Sequence, residues 1–436
     1  MKPKKDEVIL LAPAGNWESL AAAIKNGADA IYFGVGKWNM RCRANVNFTQ
    51  EELPEVVARC HDAGVRAWMT LNIIAYDEEL QEIKALLKAA KSAGVDAVIA
   101  VDPAVILHAR ELELPVHLSV QANLSNWEAI AFYSRYVETV VAARELSLEQ
   151  LASLANAIRE HKLVGPGGAP IRLEAFVHGA LCIGLSGRCG MSLCEYNTSS
   201  NRGSCYQPCR REYIVRDAET GYEFKVENRY VMSPKDLCTI AGLPRLLDAG
   251  VTVLKIEGRG RGADYVATVT RAYREAVDLW KKGETPTRGQ LERWRQALLG
   301  VFNRQFWEGG YYYGEQSDIW AGDRDSQATV KKHFVGIITH YYAHPKVAEI
   351  LLQAGNLRPG DRILITGPTT GAVEYTVPSI QHDGMEISSA GIGDDVTFPY
   401  PEKLRPKDKV FTLHTQKREP ATAAVTPADA PGGDVF

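Results

Sequence analysis

Residues 24–34 read IKNGADAIYFG, a helical segment that ends in glycine and is followed by a short apolar run. The same phrase returns as CHDAGVRAWMTLN at 60–72, AKSAGVDAVIAVD at 90–102 and LLDAGVTVLKIEG at 246–258. The glycine supplies the left-handed residue that closes a helix. The apolar run is typical of a parallel strand that is buried on both faces. Repeated helix–glycine–strand units therefore predict a βα architecture.

Apolar, strand-like runs recur through the first two thirds of the chain, with amphipathic helical segments between most of them. They occupy residues 8–12, 30–34, 66–72, 97–102, 115–121, 138–144, 172–178 and 251–257. Eight units of this size predict a TIM-like (β/α)8 barrel over residues 1–283, with an insertion at about 179–230 after the seventh strand. A doubly wound open sheet is the alternative.

The pattern changes after residue 283. Residues 284–330 contain a helical piece and the aromatic segment FNRQFWEGGYYYG, and they are predicted to form a connector. Short strands with turn signals over 331–416 predict a small antiparallel β-barrel. The stretch 417–436 is rich in Ala, Pro and Gly and is predicted to be a disordered tail.

Composition narrows the class of protein. The chain has 436 residues, of which 45% are hydrophobic and 24% charged, as is usual for a globular protein. A net charge of −3 gives no global footprint for nucleic acid, so such binding would need a local patch. The N-terminus lacks the apolar core of a signal peptide, and no run is long enough to span a membrane. We therefore expect a cytoplasmic protein without membrane contact, in which clustered cysteines favour metal binding or catalysis over disulfides.

Five of the eight cysteines fall within residues 178–209. They are Cys182, Cys189, Cys194, Cys205 and Cys209. Structural zinc sites usually consist of two tight C-x(2–4)-C pairs, and only the last two cysteines approach that spacing. Iron–sulfur ligands have looser spacings, which favours an iron–sulfur cluster and leaves zinc as the alternative. Because His178 lies four residues before Cys182, an activated cysteine nucleophile is the third interpretation.

Polar residues follow almost every predicted strand, and in TIM barrels that edge carries the active site. They are Asn72, Asp102, Gln121, Asn123, Arg144, Glu145, His178, Lys255, Glu257 and Arg259. So many polar residues at the strand ends predict a pocket at that edge of the barrel. The basic residues among them, with nearby arginines of the cysteine-rich stretch, would bind phosphates or carboxylates. The chain has no H-E-x-x-H, G-x-S-x-G, P-loop or convincing dinucleotide motif, so nucleotide hydrolysis and NAD chemistry have no support.

Several longer motifs resemble the bacterial U32 peptidase/collagenase family. The motifs are LLAPAGNWESLAAAIKNGADAIYFG at 10–34, HLSVQANLSNW at 117–127, FVHGALCIGLSGRC at 176–189, NRGSCYQPCRREY at 201–213 and GVTVLKIEGR at 250–259. The family name implies proteolysis, a hydrolase activity. Related members are RNA or ubiquinone hydroxylation factors that carry a 4Fe–4S cluster. Chain length and the C-terminal barrel resemble the branch that forms 5-hydroxyuridine at the tRNA wobble position, with prephenate as hydroxyl source.

Carried over by position, the resemblance implies that Cys182, Cys189, Cys205 and Cys209 hold the 4Fe–4S cluster. Cys238 is an alternative fourth ligand, and Cys194 is a bystander. We expect tRNA and a small anionic co-substrate as partners, with a related U32 subunit as a further one. Hydroxylation of a ribosomal RNA cytidine, a metal- or thiol-dependent peptidase, and a non-catalytic RNA-binding protein with structural zinc are the alternatives.

Position and resemblance together suggest roles for the residues at the strand ends. His178 and Glu257 are candidates for acid–base catalysis. Gln121 and Asn123 are candidates for hydrogen bonds to the edge of the substrate. Arg144, Lys255 and Arg259 are candidates for binding carboxylates or phosphates.

Overall fold

The structure is a computed structural model that describes residues 7–43, 47–224, 232–313, 319–322 and 325–416. The predicted tail, 417–436, lies outside the described residues, as does 225–230 of the predicted insertion. No helix within the described part of the chain has the length and apolar character needed to cross a membrane.

The first part of the chain is a closed parallel barrel with helices on its outside. Its strands and those joined to it are β1 (Ile9–Ala14), β2 (Ala30–Gly34), β3 (Arg66–Leu71), β4 (Ala97–Ala100), β5 (Val116–Leu118), β6 (Thr139–Val141), β7 (Arg172–Ala180), β10 (Asp236–Cys238), β11 (Val253–Ile256) and β12 (Phe306–Glu308). Strands β8 (Val215–Arg216) and β9 (Glu223–Phe224), in the insertion, form a separate two-stranded sheet. Strands β1 to β7 pair in sequence, and β11 pairs in parallel with both β7 and β1. The predicted TIM-like (β/α)8 barrel is therefore confirmed, and the alternative of an open sheet is wrong.

Helices follow the barrel strands as the repeated phrase predicts. They are α1 (Trp17–Lys25), α2 (Leu53–Asp62), α3 (Leu80–Ala93), α4 (Pro103–Glu111), α5 (Trp127–Tyr133), α6 (Leu148–Glu160), α7 (Met191–Tyr196), α8 (Leu243–Asp248), α9 (Ala263–Lys282) and α10 (Arg288–Gly300). Gly94 closes α3 with φ = 82°, the left-handed conformation expected of that glycine. Ser147 begins α6 with a capping box.

The seventh unit departs from the regular pattern. After β7 the chain runs through an irregular insertion and returns as β10, which lies antiparallel to β7 with Cys238 opposite His178. Strand β12, from the segment predicted to be a connector, pairs in parallel with β10. The sheet of the barrel therefore continues beyond β7 and fixes both ends of the insertion beside the barrel mouth.

The C-terminal region forms a second sheet with a core of its own. Its strands are β13 (Val330–Tyr342), β14 (Val347–Leu352), β15 (Arg362–Gly367), β16 (Gly371–Thr376), β17 (Ile380–His382), β18 (Met385–Ile387), β19 (Asp395–Pro399) and β20 (Lys409–Thr415). All of its pairings are antiparallel, in the order β16-β15-β20-β13-β14-β19-β17-β18. A bridge between Leu357 and Ala390 joins the segments beside β15 and β18, so the sheet curls around its core.

The curled sheet packs on the outside of the barrel, along α1 and α9. The Lys25 ammonium donates to the carbonyl of Thr370 at 3.1 Å, and the Lys332 ammonium lies 2.8 Å from the Asp264 carboxylate. These contacts leave the mouth of the barrel open to the insertion.

Candidate site at the barrel mouth

A cavity of about 400 Å³ lies between the C-terminal ends of the barrel strands and the insertion. The strand-end loops supply one part of its wall, including Thr70, Gln121 and Arg144. The insertion supplies the other, including four cysteines: Cys182, Cys189, Cys205 and Cys209. The residues that line it thus come from distant parts of the sequence that the barrel brings together.

The four cysteines are electrostatic neighbours as well as common members of the cavity wall. Burial raises the pKa of the Cys209 thiol to about 11, the Arg210 guanidinium opposes this, and Cys182, Cys205 and Cys189 raise the pKa further. The amide of Met191 donates a hydrogen bond to Cys189 Sγ at 3.4 Å, the type of contact that tunes a metal-bound thiolate. Among the described residues, no three His, Cys, Asp or Glu side chains converge on one point as for a single metal ion.

The chain between Cys182 and Cys189 makes a tight turn. Leu185 and Arg188 form an isolated bridge, and Ser186 and Gly187 between them have φ of 49° and 97°. Small residues at these left-handed positions let the backbone double back, and both cysteines consequently line the cavity.

Arg210 ties the insertion together. Its Nη2 donates to the Leu181 carbonyl at 2.6 Å, and its Nη1 donates to Ser233 Oγ at 2.9 Å and to the Pro234 carbonyl. Burial lowers the pKa of Arg210 to about 10, so the side chain stays charged at neutral pH. One buried guanidinium therefore joins the start and the end of the insertion beside Cys209.

Arg202 joins the insertion to the loop after β3. Its Nη1 donates to Glu79 Oε2 and to the Ile74 carbonyl, both at 2.7 Å, and its guanidinium lies 3.9 Å from the Tyr76 ring centroid. The thiol of Cys42, in the loop after β2, donates to the Arg202 carbonyl at 3.4 Å. Two strand-end loops therefore hold the insertion over the mouth.

The cavity wall is strongly basic. Seven arginines and Lys255 line it, against one carboxylate, Glu257, among the described lining residues. The arginines are Arg41, Arg43, Arg144, Arg210, Arg259, Arg261 and Arg304. A local basic patch that could bind anions is therefore present, although the whole chain has a net charge of −3.

Glu257 lies at the centre of these charges. Its Oε1 accepts from Arg41 Nη2 at 2.9 Å, and its Oε2 accepts from the Tyr32 hydroxyl at 3.3 Å. Burial would raise the pKa of Glu257, but Arg41, Arg144 and Arg259 outweigh it and hold the pKa at about 2. The carboxylate is thus ionised at neutral pH and serves as an anchor for Arg41.

Lys255 and Arg259 are positioned by partners inside the barrel. The Lys255 ammonium lies 2.7 Å from Glu174 Oε1, and both side chains are buried. Arg259 Nη1 donates to Thr70 Oγ1 at 3.0 Å, and burial lowers the pKa of Arg259 to about 10. Arg259 therefore remains cationic at neutral pH, and together with Lys255 it forms a fixed positive floor of the cavity.

Arg144 is less fully engaged. Its Nη1 donates to the Ala180 carbonyl at 3.1 Å, and its guanidinium lies 3.9 Å from the Phe176 ring centroid. Its Nε is buried and has no hydrogen-bond partner in the part of the chain that the structure describes. Because Arg144 lines the cavity, its guanidinium is available to an anionic group that enters it.

The family model of peptidase family U32 matches residues 15–322, more than half of the chain. The chain belongs to peptidase family U32. A protein named collagenase from Porphyromonas gingivalis is 44% identical over 410 residues, covering 94% of this chain and 98% of that protein.

Two other relatives of this U32 chain carry names of a different kind. The tRNA hydroxylation protein P1 of Bacillus subtilis is 34% identical over 399 residues, which is 89% of this chain and 90% of that protein. The 23S rRNA 5-hydroxycytidine C2501 synthase of Escherichia coli is 34% identical over 273 residues, which is 62% of this chain and 39% of that protein. The chain is therefore similar both to a protein named for collagen cleavage and to proteins named for RNA hydroxylation.

Most of the predicted site residues of the U32 chain lie together at this cavity. Gln121 lines it, with its Nε2 3.2 Å from Met40 Sδ and its Oε1 accepting from Ser119 at 3.0 Å. Asn123 does not line it. That residue ends a short turn with φ = 53°, and its Oδ1 is buried without a partner among the described residues.

His178 and Cys238 lie behind the cavity wall. The His178 ring is 1% exposed and packs against Tyr265, Tyr273 and Phe306. Burial, with a smaller effect of Arg261, lowers the pKa of His178 to about 3, so the imidazole is neutral at pH 7. Cys238 is buried beside it in β10, and burial raises the pKa of that thiol to about 12.

Four residues that line the cavity were not predicted from the sequence: Arg41 and Arg43, in the loop after β2, Tyr32 and Arg304. A signal for the first two was present. The segment MRCRAN lies in the loop after the predicted strand at 30–34, and residues in such a loop of a βα unit reach the barrel mouth. Arg304 gave no such signal, because it precedes β12 and reaches the cavity only through the extension of the sheet.

Proposed function

We propose that the chain is an iron–sulfur-dependent RNA hydroxylation enzyme that forms 5-hydroxyuridine at the tRNA wobble position, with prephenate as hydroxyl source. The names of the Bacillus subtilis and Escherichia coli relatives support hydroxylation of RNA. The observation that carries the proposal is the shared cavity, which collects four cysteines and eight cationic side chains at the barrel mouth.

The donor set fits a 4Fe–4S cluster. Cys182, Cys189, Cys205 and Cys209 would hold it, because soft thiolates are the usual ligands of such clusters. The surrounding guanidinium groups would offset the negative charge of four thiolates. When bound, the cluster would supply one-electron redox chemistry. Cys238 is the weaker choice for a fourth ligand, because it is 6% exposed and lies outside the cavity wall.

The cations fit a small anionic co-substrate such as prephenate. A guanidinium binds a carboxylate through two parallel hydrogen bonds. Arg144, with its unpartnered Nε–H, would bind one carboxylate, while Lys255 and Arg259 provide the positive floor that favours a second. Gln121, fixed by Ser119 and Met40, would offer its amide to the nucleobase.

A peptidase is the second candidate, since the Porphyromonas gingivalis relative is named collagenase. A thiol peptidase needs a base within hydrogen-bond reach of its cysteine. No histidine is found among the described residues that line the cavity, and His178 Nδ1 lies 3.4 Å from the Tyr273 hydroxyl behind the cavity wall. This arrangement supports RNA hydroxylation over a Cys–His peptidase.

Anaerobic purification followed by iron, zinc and acid-labile sulfide analysis and EPR tests the metal assignment. We expect a brown protein with iron and sulfide, a Cys182→Ala variant without them, and a Cys194→Ala variant like the wild type. Cys194 is a matched control, because it is an exposed cysteine of the same insertion outside the cavity wall. A colourless protein with one zinc and no sulfide would contradict the assignment.

Mass spectrometry of RNA nucleosides from a strain that lacks the gene tests the substrate. We expect tRNA 5-hydroxyuridine to disappear, to return with the wild-type gene, and to stay low with Arg144→Gln. Loss of 5-hydroxycytidine from ribosomal RNA instead would select the alternative RNA substrate. Gelatin hydrolysis by the purified protein without RNA, with no change in any RNA nucleoside, would favour the peptidase.

A further inference from the structure

Two tyrosines and an arginine of the insertion, together with an arginine of the loop after β2, form a row at the edge of the cavity. The ring centroids of Tyr196 and Tyr206 lie 4.7 Å apart. The Arg43 guanidinium lies 3.9 Å from the Tyr206 centroid, and the Arg211 guanidinium lies 5.1 Å from the Tyr196 centroid. Each aromatic ring is therefore in contact with the other ring and with a cation.

The row borders the cavity and is open to solvent. Tyr206 is 41% exposed, and its neighbours in the chain, Cys205 and Gln207, both line the cavity. Arg43 lines it too and is exposed. Within the described residues, Arg43 has no carboxylate partner, whereas Arg211 shares Glu195 at 2.8 Å. The row thus offers an aromatic surface together with an uncompensated positive charge.

We infer that the row Arg43–Tyr206–Tyr196–Arg211 is a stacking surface for the unpaired nucleobases that flank the target nucleotide. This inference rests on the proposed function. Proteins bind single-stranded RNA through aromatic side chains and guanidinium planes that stack on bases, with basic groups along the backbone. The two tyrosines supply the stacking faces, and the two arginines supply the charge for the adjacent phosphates.

The position of the row explains why such a surface is needed. An enzyme that acts on a base must take it out of the stack and into a pocket, and it reads the nucleotides on either side. When the target base enters the cavity, its neighbours lose a stacking partner at the rim, where Tyr206 is exposed. The row replaces that partner. Single-stranded RNA presents both groups that the row complements, bases for the rings and phosphates for the guanidinium groups over them.

Binding of fluorescein-labelled oligouridine of about 12 nucleotides to the full-length holoprotein, followed by anisotropy at fixed salt, tests the inference. We expect Tyr206→Ala to weaken binding roughly 10-fold or more, since stacking on one aromatic ring contributes that much. Tyr206→Phe keeps the ring and should bind within about twofold of the wild type. A duplex of the same length should respond little to Tyr206→Ala, because its bases are already stacked.

Tyr342→Ala is the matched control, since Tyr342 is also 41% exposed but lies on β13 of the C-terminal sheet. Metal content and circular dichroism establish that each variant is folded. Unchanged RNA affinity in Tyr206→Ala would overturn the stacking surface and leave the proposed function standing. An equal loss in Tyr206→Phe or Tyr342→Ala would overturn it as well.

Two further outcomes separate the hypotheses. If the wild type binds neither single-stranded nor duplex RNA, the proposed function fails and the stacking surface fails with it. If Tyr206→Ala abolishes self-association in sedimentation experiments while RNA affinity is unchanged, the row is a protein interface and the inference is wrong.

Discussion

At the scale of single residues, the stability of the cavity wall depends on one carboxylate, Glu257, among many cationic side chains. Glu257 accepts from Arg41 at 2.9 Å and lies near Arg144 and Arg259, which keep it ionised despite burial. Removing one member of a buried charge cluster leaves the others without compensation, and that is the usual source of large destabilisation. Glu257, which is ionised at neutral pH, therefore stabilises the surrounding arginines through its charge.

We predict that Glu257→Gln lowers the free energy of unfolding by about 3 kcal/mol at neutral pH. The pKa of Glu257 falls from 4.5 to about 2 on folding, so its contribution is complete above pH 4.5 and is lost as the pH falls toward 2. The stability difference between wild type and variant should therefore shrink over that window. Urea unfolding at a series of pH values measures it.

Glu55→Gln is the control for this prediction. Glu55 also pairs with an arginine, Arg59 at 2.6 Å, but its side chain is 58% exposed. Its replacement should change stability by less than about 1 kcal/mol. A stability difference for Glu257→Gln that stays constant from neutral pH to pH 2 would show that the carboxylate is not the cause.

The residue scale also shows where prediction from sequence succeeds and where it stops. Arg144, Lys255, Glu257 and Arg259 were found because side chains after a parallel strand reach the same edge of the barrel. His178 was predicted from its place at the end of the seventh strand, and alternation along β7 would place it inward with Phe176. The register shifts there, so that Phe176 pairs with Lys255 and His178 with Ile256. This bulge turns the His178 side chain toward α9, and no feature of the sequence predicts the bulge.

At the scale of elements, the insertion has little regular structure. Its helix α7 has six residues and its strands β8 and β9 have two each. Single side chains hold it instead, chiefly Arg210 within the insertion and Arg202 toward the barrel. The sequence predicted where the insertion lies and which cysteines it carries. It could not predict its path, because hydrogen bonds from arginine to carbonyl groups follow no periodicity.

We predict that Arg202→Ala loosens the insertion without unfolding the barrel. The change removes the ion pair with Glu79 and the hydrogen bond to Ile74, and it leaves the Glu79 carboxylate without its partner. Amide hydrogen exchange in peptides that cover residues 182–209 should become about 10-fold faster. Peptides from β1 to β4 should exchange as in the wild type.

Arg188→Ala provides the comparison, since Arg188 is an exposed arginine of the same insertion. Its exchange pattern should match that of the wild type. Equal protection of residues 182–209 in the wild type and in Arg202→Ala would show that Arg202 does not hold the insertion in place.

At the scale of the whole molecule, the barrel and the curled sheet have separate hydrophobic cores that meet at α1 and α9. Gly371, the first residue of β16, lies directly against the backbone of α1. A Cβ there would lie 2.9 Å from the Ala22 nitrogen and 3.1 Å from the Ala21 carbonyl carbon. The strand pattern of the sequence predicts the second sheet. Its place on the barrel depends on this backbone contact between distant residues, which the sequence pattern does not encode.

Gly371→Ala should therefore separate the two units, and a second glycine allows the cause to be isolated. Gly371 has φ = 76° and Gly384 has φ = 77°, so alanine meets the same backbone strain at both positions, about 1 kcal/mol. A Cβ at Gly384 meets nothing within 4 Å, whereas at Gly371 it meets the backbone of α1, which cannot move aside.

We expect calorimetry to show a small shift of Tm for Gly384→Ala. For Gly371→Ala we expect a larger loss of stability and a split into two transitions, because each core remains intact while the contact between them weakens. Identical melting profiles for the two variants would mean that strain alone acts at Gly371 and that the sheet is held on the barrel by its ion pairs.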